Sequence, residues 1–184
     1  MNKSLCILIA IAICPFLTSC NIASKSDETI PDPHSGSIKS YDYERDQTEK
    51  ILSELIKYFD EKDKEGIKAL FAKQVAQDYD LDAQIDKVFE IYNGKYVSFE
   101  IDSGGEKSKH VIDGKYVYLR HDGELKNIQT DNNKIFEISI VRCVVNDDNP
   151  DNIGLNKIYL SHTDGSHIAP IGETSQTEIY TYKY

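Results

Sequence analysis

The spacing of apolar residues changes at Gly94, and this change constrains the fold more than any other feature of the sequence. Before Gly94, apolar side chains recur every three or four residues, the period of an amphipathic helix, and three such stripes predict three helices. Asp63 is placed to cap the second helix, Asp80 or Asp82 to cap the third, and Gly94 to end it. The stripes consist of Ile51, Leu52, Leu55, Ile56 and Phe59; of Ile67, Leu70, Phe71 and Val75; and of Leu81, Ile85, Val88, Phe89 and Tyr92.

After Gly94 the apolar period falls to two, which is typical of strands with one buried face. Strands are predicted where Val97, Phe99 and Ile101 alternate with polar residues, around Val117 and Leu119, over 134–146 and over 154–162. The intervening stretch SGGEKSKH is predicted to be a turn or mobile loop. The turn candidates are Asp113-Gly114, Asp122-Gly123 and Asn132-Asn133.

Two details of the sheet follow from the same pattern. In 134–146 the apolar character moves to the other parity near Val141, which predicts a β-bulge. The final segment, 177–184, alternates tyrosines with other residues, and it is either an edge strand or a tail, with the strand slightly favoured.

Helices followed by an antiparallel meander indicate an α+β domain in which three N-terminal helices pack on a bent sheet. The stretches ILSELIKYFDEKDKEGIKALFAKQVAQ, DLDAQIDKVFEIYNG and NPDNIGLNKIYL resemble the nuclear transport factor 2-like fold, also called cystatin-like. That resemblance implies a bent sheet that wraps a long helix into a cone. The same stretches, behind the N-terminal features described next, resemble a family of uncharacterised bacterial lipoproteins with a domain of unknown function.

The N-terminus has the pattern of a lipoprotein signal. Lys3 precedes an apolar run from Leu5 to Leu17, which is shorter than the about 20 residues of a membrane span. Leu17-Thr18-Ser19-Cys20 resembles the bacterial lipobox, in which the cysteine thiol is lipidated and becomes the new N-terminus; an ordinary signal peptide with an incidental cysteine is the alternative. The sequence therefore predicts a signal peptide at 1–19, a lipidated flexible tether at 20–41 and the folded domain at 42–184. The acyl chains on Cys20, palmitate among them, would anchor the protein in the cell membrane, on its extracytoplasmic face at the cell surface.

The charge of the chain bears on its partners. The sequence has 31 acidic and 21 basic residues, a formal net charge of −10. Nucleic acid and electrostatic binding to an anionic membrane surface are therefore disfavoured as partners. Cys143 is the only cysteine in the predicted domain, so an internal disulfide is excluded there, and a small buried side chain is expected.

Neither acidic stretch has the pattern of a calcium site. In DYDLD, at 78–82, and in NDDNPDNIGL, at 146–155, the glycine at position 6 and the glutamate at position 12 of a calcium loop are missing. The first stretch is predicted to cap a helix and the second to connect two strands. His162, Asp164 and His167 form the one clustered set of metal-ligating types, and a surface turn is favoured there, so no metal and no cofactor are expected.

Folds of the resembling type often hold a pocket between the helices and the inner face of the sheet. The residues expected to line it are aromatic: Phe59, Tyr92, Phe99, Phe136 and Tyr159. In the ketosteroid isomerase type of this fold an aspartate base and an acid work in the pocket, and Asp102 and Arg142 are strand residues that could point inward. A filled core with its polar residues outside is the favoured alternative, and no catalytic motif is present.

The functional hypothesis is a lipid-anchored, non-enzymatic module that binds a small molecule or a protein partner. Two alternatives stay open: a small-pocket enzyme of the isomerase or hydrolase type, and an immunity-type lipoprotein that binds a toxin. An open cavity above about 300 Å³ with a carboxylate beside an acid would favour catalysis. A filled core with an exposed apolar patch would favour a partner protein.

Overall fold

The computed structural model describes residues 30–163 and 168–172 of the 184-residue chain. The predicted signal peptide, Cys20 and the predicted edge strand at 177–184 lie outside the described residues. Within these residues the fold is α+β, with four α-helices followed by an open, five-stranded antiparallel sheet in the order β1-β2-β3-β4-β5. The helices are α1 Ile38–Glu61, α2 Lys64–Ala69, α3 Lys73–Asp78 and α4 Leu81–Ile91, and the strands are β1 Tyr96–Ile112, β2 Lys115–Thr130, β3 Ile135–Asn146, β4 Gly154–His162 and β5 Ile168–Ile171. None of the helices in this described part combines the length and the hydrophobicity that a membrane span requires.

The helix starts follow the capping chemistry of the sequence. Asp63 accepts a hydrogen bond from the backbone N–H of Gly66, and Asp80 accepts one from Ala83, so both capping predictions are confirmed. Helix α1 begins at Ile38, capped by Ser37, and its first residues lie in the segment expected to be a tether. A 3₁₀ turn at Pro33–Ser35 precedes it.

The predicted second helix is two short helices. Between α2 and α3, Phe71 forms a parallel bridge with Leu155 of β4. The N–H of Ala72 donates to the carbonyl of Leu155 at 2.8 Å, and the N–H of Leu155 donates to the carbonyl of Leu70 at 3.2 Å. These backbone groups therefore pair with the sheet instead of continuing a helix, while the apolar side chains of the stripe still reach the core.

Two turn predictions in the first hairpin are wrong. The stretch 103–110 belongs to β1, whose pairing with β2 contains several register shifts, one of them at Gly104 with a φ of +62°. Gly123 lies inside β2, where helix α1 passes close to the strand. The position suits a glycine because a Cβ there would lie 2.5 Å from Cγ2 of Thr48. Asp113-Gly114 and Asn132-Asn133 do connect strands, as predicted, with Asp113, Gly114 and Asn133 at positive φ.

The expected bulge near Val141 is confirmed. In the pairing of β3 with β4, Val141 is opposite Lys157 and Arg142 is opposite Leu155, so the register passes over Asn156. The register also shifts in the pairing of β2 with β3: Leu119 is opposite Val145 and Arg120 is opposite Cys143, so Val144 is skipped. Cys143, Val144 and Val145 are consecutively buried beside it, and burial raises the pKa of the Cys143 thiol.

The helices cover one face of the sheet and form one main hydrophobic core with it. Leu52, Leu55, Ile56 and Phe59 of α1 belong to the same buried cluster as alternate residues of β2, β3 and β4. Ile138, Ile140, Ile158 and Leu160 are fully buried there, as their alternation predicted. Near the start of α1 the apolar contacts give way to polar ones, and the candidate site lies at that position.

Candidate functional site

The five aromatic residues expected to line a pocket lie in or beside the core. Phe59, Tyr92 and Phe136 are fully buried, with ring centroids 5.3 Å apart for the first pair and 5.2 Å for the second. Phe99 is half-buried against Tyr96, and Tyr159 is half-buried in β4. None of the five lines the cavity described next.

A small cavity with several polar side chains in its wall lies between the first turns of α1 and strands β1 and β2. Its volume is about 50 Å³. Gly36, Ser37 and Leu119 form part of its wall. The side chains that give it chemical character are those of Ser40, Tyr41, Glu44, Glu106, Tyr116 and His121.

Strand register brings three ionisable residues into one row across the sheet. Glu106 of β1 is opposite His121 of β2, and His121 is opposite Arg142 of β3. Residues directly opposite each other in antiparallel strands point to the same face, here the face that α1 covers. Tyr41 and Glu44, three residues apart on α1, lie on the helix side of the cavity.

Glu44 and Arg142 form a buried ion pair behind the cavity. The Nη2 of Arg142 donates to Oε2 of Glu44 at 2.6 Å, and the side chains are 7% and 11% exposed for Glu44 and Arg142, respectively. The same nitrogen donates to the carbonyl of Glu44 at 3.0 Å and to Oγ1 of Thr48 at 3.3 Å. This bonding holds the first turns of α1 on the sheet and fixes the position of the Glu44 carboxylate.

His121 and Arg142 each have one buried nitrogen, Nδ1 and Nε respectively, without a hydrogen-bond partner among the described residues. His121 as a whole is 1% exposed. Burial and the nearby Arg142 guanidinium lower the pKa of His121, although Glu44, Glu106 and Asp122 act in the opposite direction. The imidazole is therefore neutral at pH 7, with a ring nitrogen available for a hydrogen bond.

Glu106 forms the outer wall of the cavity. Its carboxylate accepts a hydrogen bond from the Tyr116 hydroxyl at 2.8 Å and forms an ion pair with Nζ of Lys109 at 2.6 Å. Burial alone would raise the pKa of Glu106, but the bonds from Lys109 and Tyr116 outweigh it, so the pKa is lower than usual. The carboxylate is ionised at neutral pH.

Asp102 and Arg142, the two strand residues that could form an acid–base pair, differ in burial and in their partners. Arg142 points inward and joins the site, whereas Asp102 is exposed and pairs with Lys126 at 2.6 Å. Glu44, Glu106 and His121 were not identified as site residues from the sequence. A signal for Glu44 does exist: Tyr41, Glu44 and Thr48 continue the helical spacing of Leu52 and Leu55 toward the N-terminus.

No group of three or more His, Cys, Asp or Glu residues in the described part of the chain could hold a metal ion. The stretch 146–155 connects β3 and β4, as predicted, and contains a 3₁₀ turn at Pro150–Asn152.

Comparison with known proteins gives the family of the chain. No curated protein matches it. The family model described as "Domain of unknown function (DUF5104)" matches residues 54–164, a segment that contains Glu106, His121 and Arg142. Because this match covers more than half of the 184 residues, the chain belongs to that family.

Proposed function

We propose that this protein is a membrane-anchored, extracytoplasmic lipoprotein whose α+β domain binds a ligand in the cavity between α1 and strands β1 and β2. The observation that carries the proposal is His121, which lines that cavity and whose buried Nδ1 has no hydrogen-bond partner among the described residues. A buried polar atom without a partner costs about 1–3 kcal/mol. A ligand group that bonds to it would recover this free energy.

The size of the cavity favours binding over catalysis. Pockets that enclose a whole small-molecule substrate have volumes of about 300–1,000 Å³. This cavity, at about 50 Å³, accommodates one end of a ligand and leaves the rest outside. Nη2 of Arg142, the second residue considered for an acid–base pair, is bonded to Glu44.

For the fold we propose a nuclear transport factor 2-like cone. Helices that precede an antiparallel meander support it, and so do the register shifts in the pairs β1–β2, β2–β3 and β3–β4. Such shifts bend a sheet around the element packed against it. Contacts of α1 with the apolar residues of the sheet agree with a long helix held on the inner side.

The lipobox Leu17-Thr18-Ser19-Cys20 supports the anchor. Labelling cells with radioactive palmitate tests this half of the proposal: Cys20→Ser should abolish incorporation, because the thiol is the acylated group. Cys14→Ser, within the apolar run, is the matched control and should still be labelled. Label in the Cys20→Ser protein would contradict the anchor.

Nuclear magnetic resonance of the full chain in detergent micelles, with ¹⁵N-labelled histidine, tests the binding half. The His121 ring signals are assigned by their loss in His121→Gln. We expect small polar fragments to shift these signals in a saturable way, with the signals of exposed His110 as the internal control. A fragment set that leaves the His121 signals unchanged would refute the cavity as a binding site.

A further inference from the structure

We propose that the group bound in this cavity is a primary ammonium group, carried by a free amine or by a longer ligand; this inference rests on the proposed binding function. Four properties of the cavity favour such a group: the charge of the lining, its aromatic walls, its hydrogen-bond acceptors and its volume.

The lining carries negative charge and no positive charge. Glu44 and Glu106 contribute two carboxylates, and no lysine or arginine is among the described residues that line the cavity. Arg142 lies behind Glu44 and Lys109 pairs with Glu106, so neither cation presents itself to the interior. Both carboxylates are already ion-paired, but an anionic ligand would find no cationic side chain in the lining, whereas a cation would find carboxylate oxygens there.

Aromatic rings contribute to the same preference. Tyr41 and Tyr116 both line the cavity, and a cation near the face of an aromatic ring is stabilised by about 0.5–2 kcal/mol. Lys109 already shows this arrangement at the rim, because its Nζ lies 2.6 Å from Glu106 and 5.7 Å from the centroid of the Tyr116 ring. Glu106 and Tyr116 therefore already bind one ammonium group, that of Lys109.

The acceptors suit a donor with several N–H bonds. An ammonium group has three donors and no acceptor. Nδ1 of His121 is buried and has no partner among the described residues, and the lowered pKa of this residue, caused by burial and by Arg142, keeps the imidazole neutral, so that one of its two ring nitrogens can accept. Carboxylate oxygens of Glu44 and Glu106 are the other acceptors in the wall.

The volume limits the ligand further. A water-sized group needs roughly 10–15 Å³ of such a cavity. A cavity of about 50 Å³ therefore takes an ammonium nitrogen with two or three attached carbon atoms. Larger parts of a ligand would remain outside.

The test uses three probes of similar size that differ in charge: ethylammonium, ethanol and acetate. Each is titrated into the full chain in micelles while the ¹⁵N signals of His121 are followed, with sodium chloride added to keep the ionic strength equal. We expect saturable shifts with ethylammonium and at least tenfold weaker effects with ethanol and acetate. Lysine with its α-amine acetylated and its carboxyl amidated, titrated in parallel, distinguishes a peptide side chain from a free amine as the source.

Two variants make the test specific. Glu106→Gln should weaken ethylammonium binding about tenfold, since one carboxylate charge is lost. Lys109→Met should tighten it several-fold because the competing ammonium is removed, and a misfolded variant would not produce tighter binding. Unchanged affinity in both variants would overturn the inference.

The probes also separate this inference from the proposed function. If ethanol or acetate saturates the His121 signals and ethylammonium does not, the ammonium inference is refuted and the binding site stands. If neither these probes nor the wider fragment set moves the signals, both are refuted.

Discussion

Glu44 of α1 and Arg142 of β3 are 98 residues apart in sequence and form an ion pair of 2.6 Å in which both side chains are almost fully buried. The pair joins the first turns of the long helix to the centre of the sheet. It also sets the electrostatics of the cavity, because Arg142 lowers the pKa of the neighbouring His121, second to burial itself.

Removing the arginine should destabilise the domain strongly. In Arg142→Met the Glu44 carboxylate stays buried without its partner, and breaking a buried pair in this way costs about 3–5 kcal/mol. Urea unfolding of the full chain measures the change in the free energy of unfolding. The double variant Glu44→Gln, Arg142→Met should recover part of the loss, because no unpaired charge remains.

The pair Arg120–Asp122 on the neighbouring strand is the control for that experiment, because its side chains are only half-buried, with 37% and 24% of their surface exposed. Arg120→Met should cost less than about 1 kcal/mol, as solvent screens the charges. Equal losses in the two arginine variants would contradict the assigned burial of the Glu44–Arg142 pair.

Acid should weaken the domain through His121. Its pKa in the folded state is lowered by burial and by Arg142, with Glu44, Glu106 and Asp122 opposing, while the unfolded chain has a His pKa of about 6.5. Because the unfolded state takes up the proton first, the stability contributed by the neutral imidazole is complete above about pH 6.5. It is lost as the pH falls from there toward the folded pKa.

Urea unfolding measures the free energy of unfolding at several pH values from about 8 to about 5, a range that includes the reference pKa of His. Below about pH 6.5 the slope should be less steep in His121→Gln than in the wild type, by up to about 1.4 kcal/mol per pH unit. The exposed His110 provides the matched variant His110→Gln, which should keep the wild-type slope. Parallel slopes for wild type and His121→Gln would exclude a buried neutral imidazole.

The close approach of α1 to β2 should make Gly123 intolerant of a side chain. A Cβ there would lie 2.5 Å from Cγ2 of Thr48 and 3.2 Å from Cδ1 of Leu52, so Gly123→Ala should cost about 1–3 kcal/mol. Gly105→Ala is the comparison, because its Cβ would meet the tip of the Tyr41 side chain. Thermal unfolding of both variants measures the difference, and similar melting temperatures would contradict the predicted crowding at Gly123.

Calcium should leave the melting temperature unchanged. In the connection between β3 and β4, Oδ1 of Asn146 accepts from the N–H of Asn149, and Asp151 pairs with Lys73 at 2.8 Å. These oxygens serve the turn and a helix contact rather than a shared centre. Scans with millimolar calcium and with chelator should coincide, and a rise of several degrees on adding calcium would show an ion site.

Local sequence signals are sufficient to predict many of the secondary-structure elements of this protein. The change of period at Gly94 predicted helices followed by an antiparallel meander, and capping chemistry predicted the roles of Asp63 and Asp80. Apolar parity predicted the bulge near Val141, and the residue types of 146–155 predicted a connection between strands. These features depend on residues a few positions apart, so the sequence alone is sufficient for them.

Long-range contacts decided the rest. The sequence around Gly123 predicts a turn, but in the structure helix α1 crosses a strand at this glycine. The second apolar stripe predicts one helix, but the backbone of Leu155 bonds to that of Leu70 and Ala72 and divides it into two. The site itself is built from α1, β1, β2 and β3, and its polar residues have partners that are distant in sequence. Glu44, Glu106, His121 and Arg142 meet only because strand register aligns three of them and the helix crosses above, and that alignment is a property of the tertiary structure.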